Sequence, residues 1–282
     1  MDKPAGPTSH DVVDAARVAL GERRIGHTGT LDPFASGLLL LCVGPATRLA
    51  EYITGLPKTY RATARLGTAT DTLDVDGKVT GTSEEWRSLD PGAVREAFEA
   101  HVGEREQRPP AFSAKKVGGE RLYEKARRGE EVEAAPVRVT IHALSVDDVR
   151  LPDVDFTLTC SSGTYVRAVA RDVGEALGVG AHLTALRRTA IGPHTVEGAP
   201  TVDELADAER ARGALMTPLD ALAHLPRVEL DEDAAHDIAY GRVVAVAADE
   251  APLVALARRG ELLAVAEVEA GLARPRKVLR AV

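Results

Sequence analysis

Positive charge is in short supply in this sequence. Its 35 Lys and Arg stand against 43 Asp and Glu, a formal net charge of −8. Affinity for a phosphate backbone rests mainly on Lys and Arg, so the total argues against a general nucleic-acid binder. It leaves room for a local basic groove on an acidic body. Cysteine is scarcer still. Cys42 and Cys160 lie far apart in apolar, strand-like runs, which makes them core residues of a cytosolic protein without a disulfide or a cysteine-based metal site. No apolar run approaches the roughly 18 residues of a membrane span, and no signal peptide precedes Met1-Asp2-Lys3. Internal repeats and low-complexity tracts are also missing.

What is present describes an ordinary folded chain. With 44% hydrophobic and 28% charged residues over 282 positions, it can bury a large core in one or two domains. The most unusual stretch is Gly26-His27-Thr28-Gly29-Thr30-Leu31-Asp32-Pro33-Phe34-Ala35-Ser36-Gly37. Three glycines and an Asp-Pro step describe a tightly turned loop, and Pro33 biases Asp32 toward extended backbone. The apolar run Leu38–Val43 that follows is expected to be one buried strand. A carboxylate on a rigid loop beside a central strand is well placed for chemistry. On pattern alone, Asp32 as a turn residue bonding its own backbone is an equally open reading.

This loop resembles the nucleophile loop of bacterial tRNA pseudouridine-55 synthases of the TruB type. The resemblance implies that Asp32 is the catalytic nucleophile and that His27 fills the space vacated by a flipped base. Motif resemblance extends from residue 2 to about residue 192. The opening Asp2-Lys3-Pro4 is similar to the family's first motif, although the short apolar strand that normally precedes it is missing here, which leaves the first strand of the sheet open.

Along the chain, Thr8 with Asp11 three residues on marks the start of a helix to about Leu20. Adjacent Ser9, His10 and Asp11 cannot face one substrate as a triad. Ala46 to Thr54 reads as a short helix. From Tyr60 to Gly67 the residues alternate, with Arg61 and Arg65 on the second face. On pattern, Tyr60 packs in a core; the resemblance implies that it stacks on the target base, and stacking is worth roughly 1–3 kcal/mol per base. The run Gly67–Gly77 lacks the leading Asp and closing Glu of a calcium loop. It is similar to a second family motif, which implies that Asp74 contacts the substrate loop.

Asp90-Pro91 starts a helix with Val94, Ala97, Phe98 and Val102 on its apolar face. Residues 104–129 carry eight Lys or Arg against four Glu, with Phe112 and Tyr123, and read as a basic RNA contact or as a solvated surface hairpin. The stretch with Lys115 and Lys116 resembles the thumb-like segment that closes over RNA in the family. Strands follow at Val137–Ile141 and Val154–Cys160. Ser161-Ser162-Gly163-Thr164-Tyr165-Val166-Arg167 then turns into a helix. Arg167 lies off the apolar face near the N-terminus, where the dipole does not favour a cation. It reads as a surface residue unless a carboxylate partners it. The arrangement resembles a third family motif, implying that Arg167 pairs with Asp32, and many members carry Lys where Ser162 stands. The stretch Gly178–Arg188 resembles a fourth, implying that Leu186 and Tyr165 wall the uracil pocket and that Arg187 and Arg188 lie near RNA or core carboxylates. Thr201–Glu204 reads as a capping box for a helix to about Arg212. From Pro226 a helical piece, Glu232 to Tyr240, precedes small strands at 243–247, 253–256, 262–268 and 278–282.

The expected fold is α+β: a mixed, largely antiparallel sheet with flanking helices (the pseudouridine synthase fold) over residues 1–225, then a small β-rich, PUA-like RNA-binding domain over 226–282. The resemblance implies isomerisation of uridine 55 in the TΨC loop of tRNA by base flipping, with Asp32, Tyr60 and Arg167 as catalytic residues. It also implies RNA contacts from His27, Asp74, Lys115, Lys116, Tyr165 and Leu186. The tRNA T stem-loop is the expected partner of a cytoplasmic monomer that keeps clear of membranes. No metal-ligand spacing or phosphate-cradling loop occurs, so neither metal nor organic cofactor is expected. Two alternatives stand beside this: a guide-RNA-dependent synthase of the dyskerin type, and a non-catalytic tRNA-binding or folding module.

Overall fold

A computed structural model describes residues 1–113, 116–117, 119–122, 128, 130 and 134–279. Two compact units emerge: residues 1–12, 29–40 and 54–202 form one, and residues 13–28, 41–53 and 203–282 the other. Among the described residues no helix is long and apolar enough to cross a membrane.

The first unit is built on an eight-stranded sheet. Its order runs Asp2–Lys3, Ser36–Leu38, Ala181–Ile191, Lys58–Leu66, Asp153–Cys160, Val137–Arg150, Gly103–Gln107, and His194–Thr195 pairs with Ala181–Ile191 off this path. Only Ala181–Ile191 with Ser36–Leu38 is parallel; the other pairings are antiparallel. The sheet is therefore mixed and largely antiparallel, and the fold is α+β as expected. Its two faces follow from the alternation of side chains along a strand. From Lys58–Leu66, Tyr60, Ala62, Ala64 and Leu66 turn inward. Thr59, Arg61, Thr63 and Arg65 face the other way, where Thr63 donates to Asp155 (2.6 Å) and Arg65 grips Asp153 through two bonds of 2.8 Å. The strand Asp153–Cys160 alternates likewise, burying Val154, Phe156, Leu158 and Cys160.

Two helices cover the apolar face. Pro91–Glu99 begins where the Asp90 carboxylate accepts the Ala93 N–H at 2.9 Å, and it buries Val94 and Phe98, with Phe98 packed on Phe156 at a centroid distance of 4.9 Å. Val102, expected on this face, lies past the helix end and is exposed. Helix Val166–Ala176 contributes Val166, Val169, Ala170 and Val173 to the same core. Helix Ser9–Leu20 has the expected start, with the Asp11 carboxylate accepting the Thr8 N–H and the Thr8 hydroxyl accepting the Asp11 N–H.

Other sequence expectations needed revision. Leu38–Val43 is not one strand: Ser36–Leu38 joins the large sheet, while Leu41–Val43 pairs with Ile25–His27. Leu39 and Leu40 between them are buried without belonging to either strand. Apolarity reports burial, and both strands are buried, so a continuous run hid the break. The helix expected from Thr201 is two pieces, Asp203–Ala206 and Ala208–Gly213, because the Asp207 side chain caps the second by accepting from Glu209 and Arg210.

In the second unit, a five-stranded sheet runs in the order Arg227–Glu229, Ala251–Arg258, Glu261–Glu269, Leu272–Val278, Val244–Ala245. Helix Glu232–Ala239, capped by Asp231, packs Ala235 and Ile238 against Val254, Leu256 and Ala264. The last strand lies at Leu272–Val278 rather than at 278–282, whose final three residues fall outside the described ones.

Candidate active site

Asp32 stands in a loop that three side chains or amides of the first unit fasten down. The Ser9 hydroxyl accepts the Leu31 N–H at 2.9 Å and donates to the Leu31 carbonyl at 3.1 Å. Lys3, wholly buried, donates to the carbonyls of Pro4, Pro7 and Pro33 at 2.8, 2.7 and 3.2 Å. The Gly6 N–H donates to Pro33 O at 2.8 Å. Burial brings the Lys3 pKa down to about 8. A loop held at this many points keeps its carboxylate in one place, as a site with chemistry requires.

Arg167 occupies the first turn of its helix, with its side chain 3% exposed. Nε meets Asp32 Oδ2 at 2.9 Å and Nη2 meets Oδ1 at 3.2 Å. Nη2 also donates to Phe112 O at 2.9 Å, and Nη1 to Thr72 O at 2.6 Å, with Asp74 Oδ2 at 3.4 Å. One guanidinium thus ties together the loops of Asp32, of Thr72 and Asp74, and of Phe112. A cation at a helix N-terminus works against the dipole; two carboxylates offset that and make its burial tolerable. Asp74 is itself buried, and this burial raises its pKa, against the Thr72 hydroxyl and Arg167, which lower it.

The start of that helix is set from outside. Tyr165 caps it without a side-chain bond. Instead the amide of Gln107, 1% exposed, pairs with the Tyr165 main chain: Oε1 accepts its N–H at 2.8 Å and Nε2 donates to its carbonyl at 3.1 Å. Tyr165 is half-buried.

Tyr60 is 8% exposed. Burial raises its phenol pKa, while the Arg188 charge lowers it and the Asp32 charge raises it further. Leu186 pairs with Ala62 across the strands, two residues from the Arg188–Tyr60 pair. It also helps line an open groove of about 760 Å³ with Phe34, Arg61 and Arg187. Of the residues singled out from sequence, Asp32, Asp74 and Arg167 therefore meet in one bonded cluster, and Tyr60 feels the Asp32 charge. His27 sits half-buried in strand Ile25–His27 of the second unit. Lys115 lies outside the described residues. Lys116 belongs to a short strand pairing with Glu120–Arg121, and its side chain also lies outside them.

Gln107, Thr72 and the Phe112 carbonyl were not anticipated. The latter two act through main-chain oxygens, which no residue type announces. Arg187 and Arg188 also part company: Arg187 pairs with Asp2 through bonds of 3.0 and 2.7 Å, whereas Arg188 is buried among main-chain carbonyls rather than carboxylates. Strand alternation, which puts Arg188 on the face of Leu186, was the available signal. Among the described residues no three His, Cys, Asp or Glu are grouped to hold a metal ion.

Residues 17–166 match the family model described as the N-terminal domain of TruB family pseudouridylate synthase, and residues 167–223 match the C-terminal domain of tRNA pseudouridylate synthase B. The protein named tRNA pseudouridine synthase B of Arthrobacter sp. (strain FB24) is 46% identical, covering 98% of this chain and 94% of its own length. That of Thermobifida fusca (strain YX) is 44% identical over 98% and 95%. Among solved structures, a chain of an H/ACA RNP bound to a substrate RNA containing 2′-deoxyuridine superposes with a TM-score of 0.75 at 25% identity, covering 99% of this chain and 83% of that one. A chain from a Cbf5-Nop10-Gar1 complex gives 0.75 at 26%, with the same coverage. The pseudouridine synthase fold is thus shared along the whole chain, and by sequence the chain belongs to the TruB family of pseudouridylate synthases.

Proposed function

We propose that this protein isomerises uridine 55 in the T loop of tRNA to pseudouridine. The observation that carries the reading is the Asp32–Arg167 pair: a loop-mounted carboxylate held by a buried guanidinium, with its side chain still 34% exposed. The reaction breaks the C1′–N1 bond and joins C1′ to C5; the C5 proton is lost and N1 gains one, so there is no net redox change. The uracil is stacked in the T loop and must be flipped out at a cost of a few kcal/mol. Asp32 supplies the nucleophile, Arg167 directs it, and Tyr60 stacks on the base beside Leu186 and Tyr165. Asp74 holds Arg167 and meets the substrate loop, and His27 occupies the vacated space. A binding module needs no such carboxylate directed by a buried guanidinium, which disfavours the non-catalytic alternative. The relatives at 44–46% identity carry the name tRNA pseudouridine synthase B, whereas the H/ACA chains are more distant at 25–26%, which disfavours the guide-dependent one.

The T stem-loop is the recognised element, Lys115 and Lys116 contact its phosphates, and residues 226–282 add a second RNA-binding domain. The protein acts as a cytoplasmic monomer. The test is to react purified protein with an unmodified tRNA transcript and map pseudouridine by position. Product at position 55 is expected; product elsewhere, or none, overturns the reading.

A further inference from the structure

Arg188 lies directly across from Tyr60 in the antiparallel pairing of Ala181–Ile191 with Lys58–Leu66, and across from Gly37 in the parallel one. It is 1% exposed and among the largest fully buried side chains of the protein. Removing a guanidinium from water is expensive unless its donors are satisfied. Here main-chain carbonyls do so: Nε donates to Leu38 O at 2.7 Å, Nη2 to Gly29 O at 2.9 Å and Nη1 to Thr30 O at 3.4 Å. Gly29 and Thr30 precede Asp32 and Leu38 follows it, so the guanidinium clamps the loop at both ends. Burial raises the Tyr60 phenol pKa, and the nearby Arg188 charge lowers it.

We infer that Arg188 is a positioning residue for the isomerisation, holding the Asp32 loop against the strand that carries Tyr60 as one rigid unit. The inference rests on the functional reading above. Carbonyls satisfy the donors of Arg188 without neutralising its charge, in contrast to the two carboxylates on Arg167. Arg188 thus fixes where the Asp32 loop stands relative to the strand that carries Tyr60. A misplacement of about 1 Å at such a site can cost a hundredfold in rate, so a clamp of this kind acts on turnover rather than on tRNA affinity.

The experiment compares wild type, Arg188→Lys and Arg188→Met by tRNA binding, by single-turnover pseudouridine formation at saturating enzyme, and by ultraviolet titration of the Tyr60 phenol. The phenol signal is isolated by subtracting the matching Tyr60→Phe protein. Both variants are expected to bind tRNA within about twofold of wild type and to lose about tenfold or more in single-turnover rate. In Arg188→Met the Tyr60 titration should move further up. Should Arg188→Met fail to fold, Arg188→Lys decides, because Lys3 and Lys58 already sit buried on carbonyls in this unit. A folded variant with the wild-type rate, or one that loses affinity alone, overturns the inference. A wild-type protein that forms no pseudouridine overturns the functional reading instead, and the phenol titration then still decides whether Arg188 governs Tyr60.

Discussion

Arg167 meets Asp32 with two nitrogens, Nε on Oδ2 at 2.9 Å and Nη2 on Oδ1 at 3.2 Å, across 135 residues of sequence. A planar guanidinium fork against a carboxylate fixes both distance and plane. The arginine is buried and the aspartate keeps an exposed edge, so the pair presents a directed carboxylate rather than a closed structural bridge.

Asp32→Asn tests this directly. The amide is nearly isosteric, so the loop should survive, but it is a far poorer nucleophile. Arg167 keeps Asp74 as a counter-charge, which limits the loss of stability to about 1–3 kcal/mol. The expected protein is folded, binds tRNA within roughly tenfold of wild type, and forms no detectable pseudouridine. Near-wild-type turnover in a positional mapping assay would remove Asp32 from the reaction.

Gln107→Ala should act at a distance. It strips two bonds from the half-buried Tyr165 main chain at the point where the Arg167 helix begins. Leaving such groups unpaired costs about 1–3 kcal/mol. Denaturant unfolding should show that loss, and turnover should fall with it because Arg167 shifts. An unchanged midpoint would mean that water replaces the amide without penalty.

Gly37→Ala should be among the most damaging single substitutions. The backbone there has φ of +103°, and a Cβ would lie 2.2 Å from the Arg188 carbonyl oxygen. Neither the strain nor the clash can be relieved by a flexible side chain. A destabilisation above about 2 kcal/mol is expected, and a thermal midpoint equal to wild type would contradict the close approach of these two strands.

Lys58 predicts a pH dependence. It is 6% exposed, donates to the carbonyls of Thr54 and Leu56, and burial lowers its pKa to about 8 from 10.5. Between those values the unfolded chain binds more protons than the folded one, so the contribution of this residue to stability rises with pH. The unfolding free energy of wild type relative to Lys58→Met should therefore increase from about pH 8 to about pH 10.5, as followed by urea melts at several pH values. A flat difference would place the ammonium in contact with solvent.

Local features were legible in the residues themselves. Strand alternation placed Tyr60 and Cys160 inward, Asp90 and the Thr8–Asp11 pair marked helix starts, and the glycine-rich loop around Asp32 stood out by composition. These signals involve neighbours in sequence, whose hydrogen bonds and periodicity are written in residue type. The family resemblance already implied the Asp32–Arg167 pair. The tertiary structure alone decided that Leu38–Val43 divides between two sheets, that Arg188 is buried on carbonyls, and that the Arg167 guanidinium also gathers Asp74, Thr72 and Phe112. Strand register and main-chain acceptors make those choices. A carbonyl is present at every residue, so which one Arg167 or Arg188 meets depends on how distant segments are stacked.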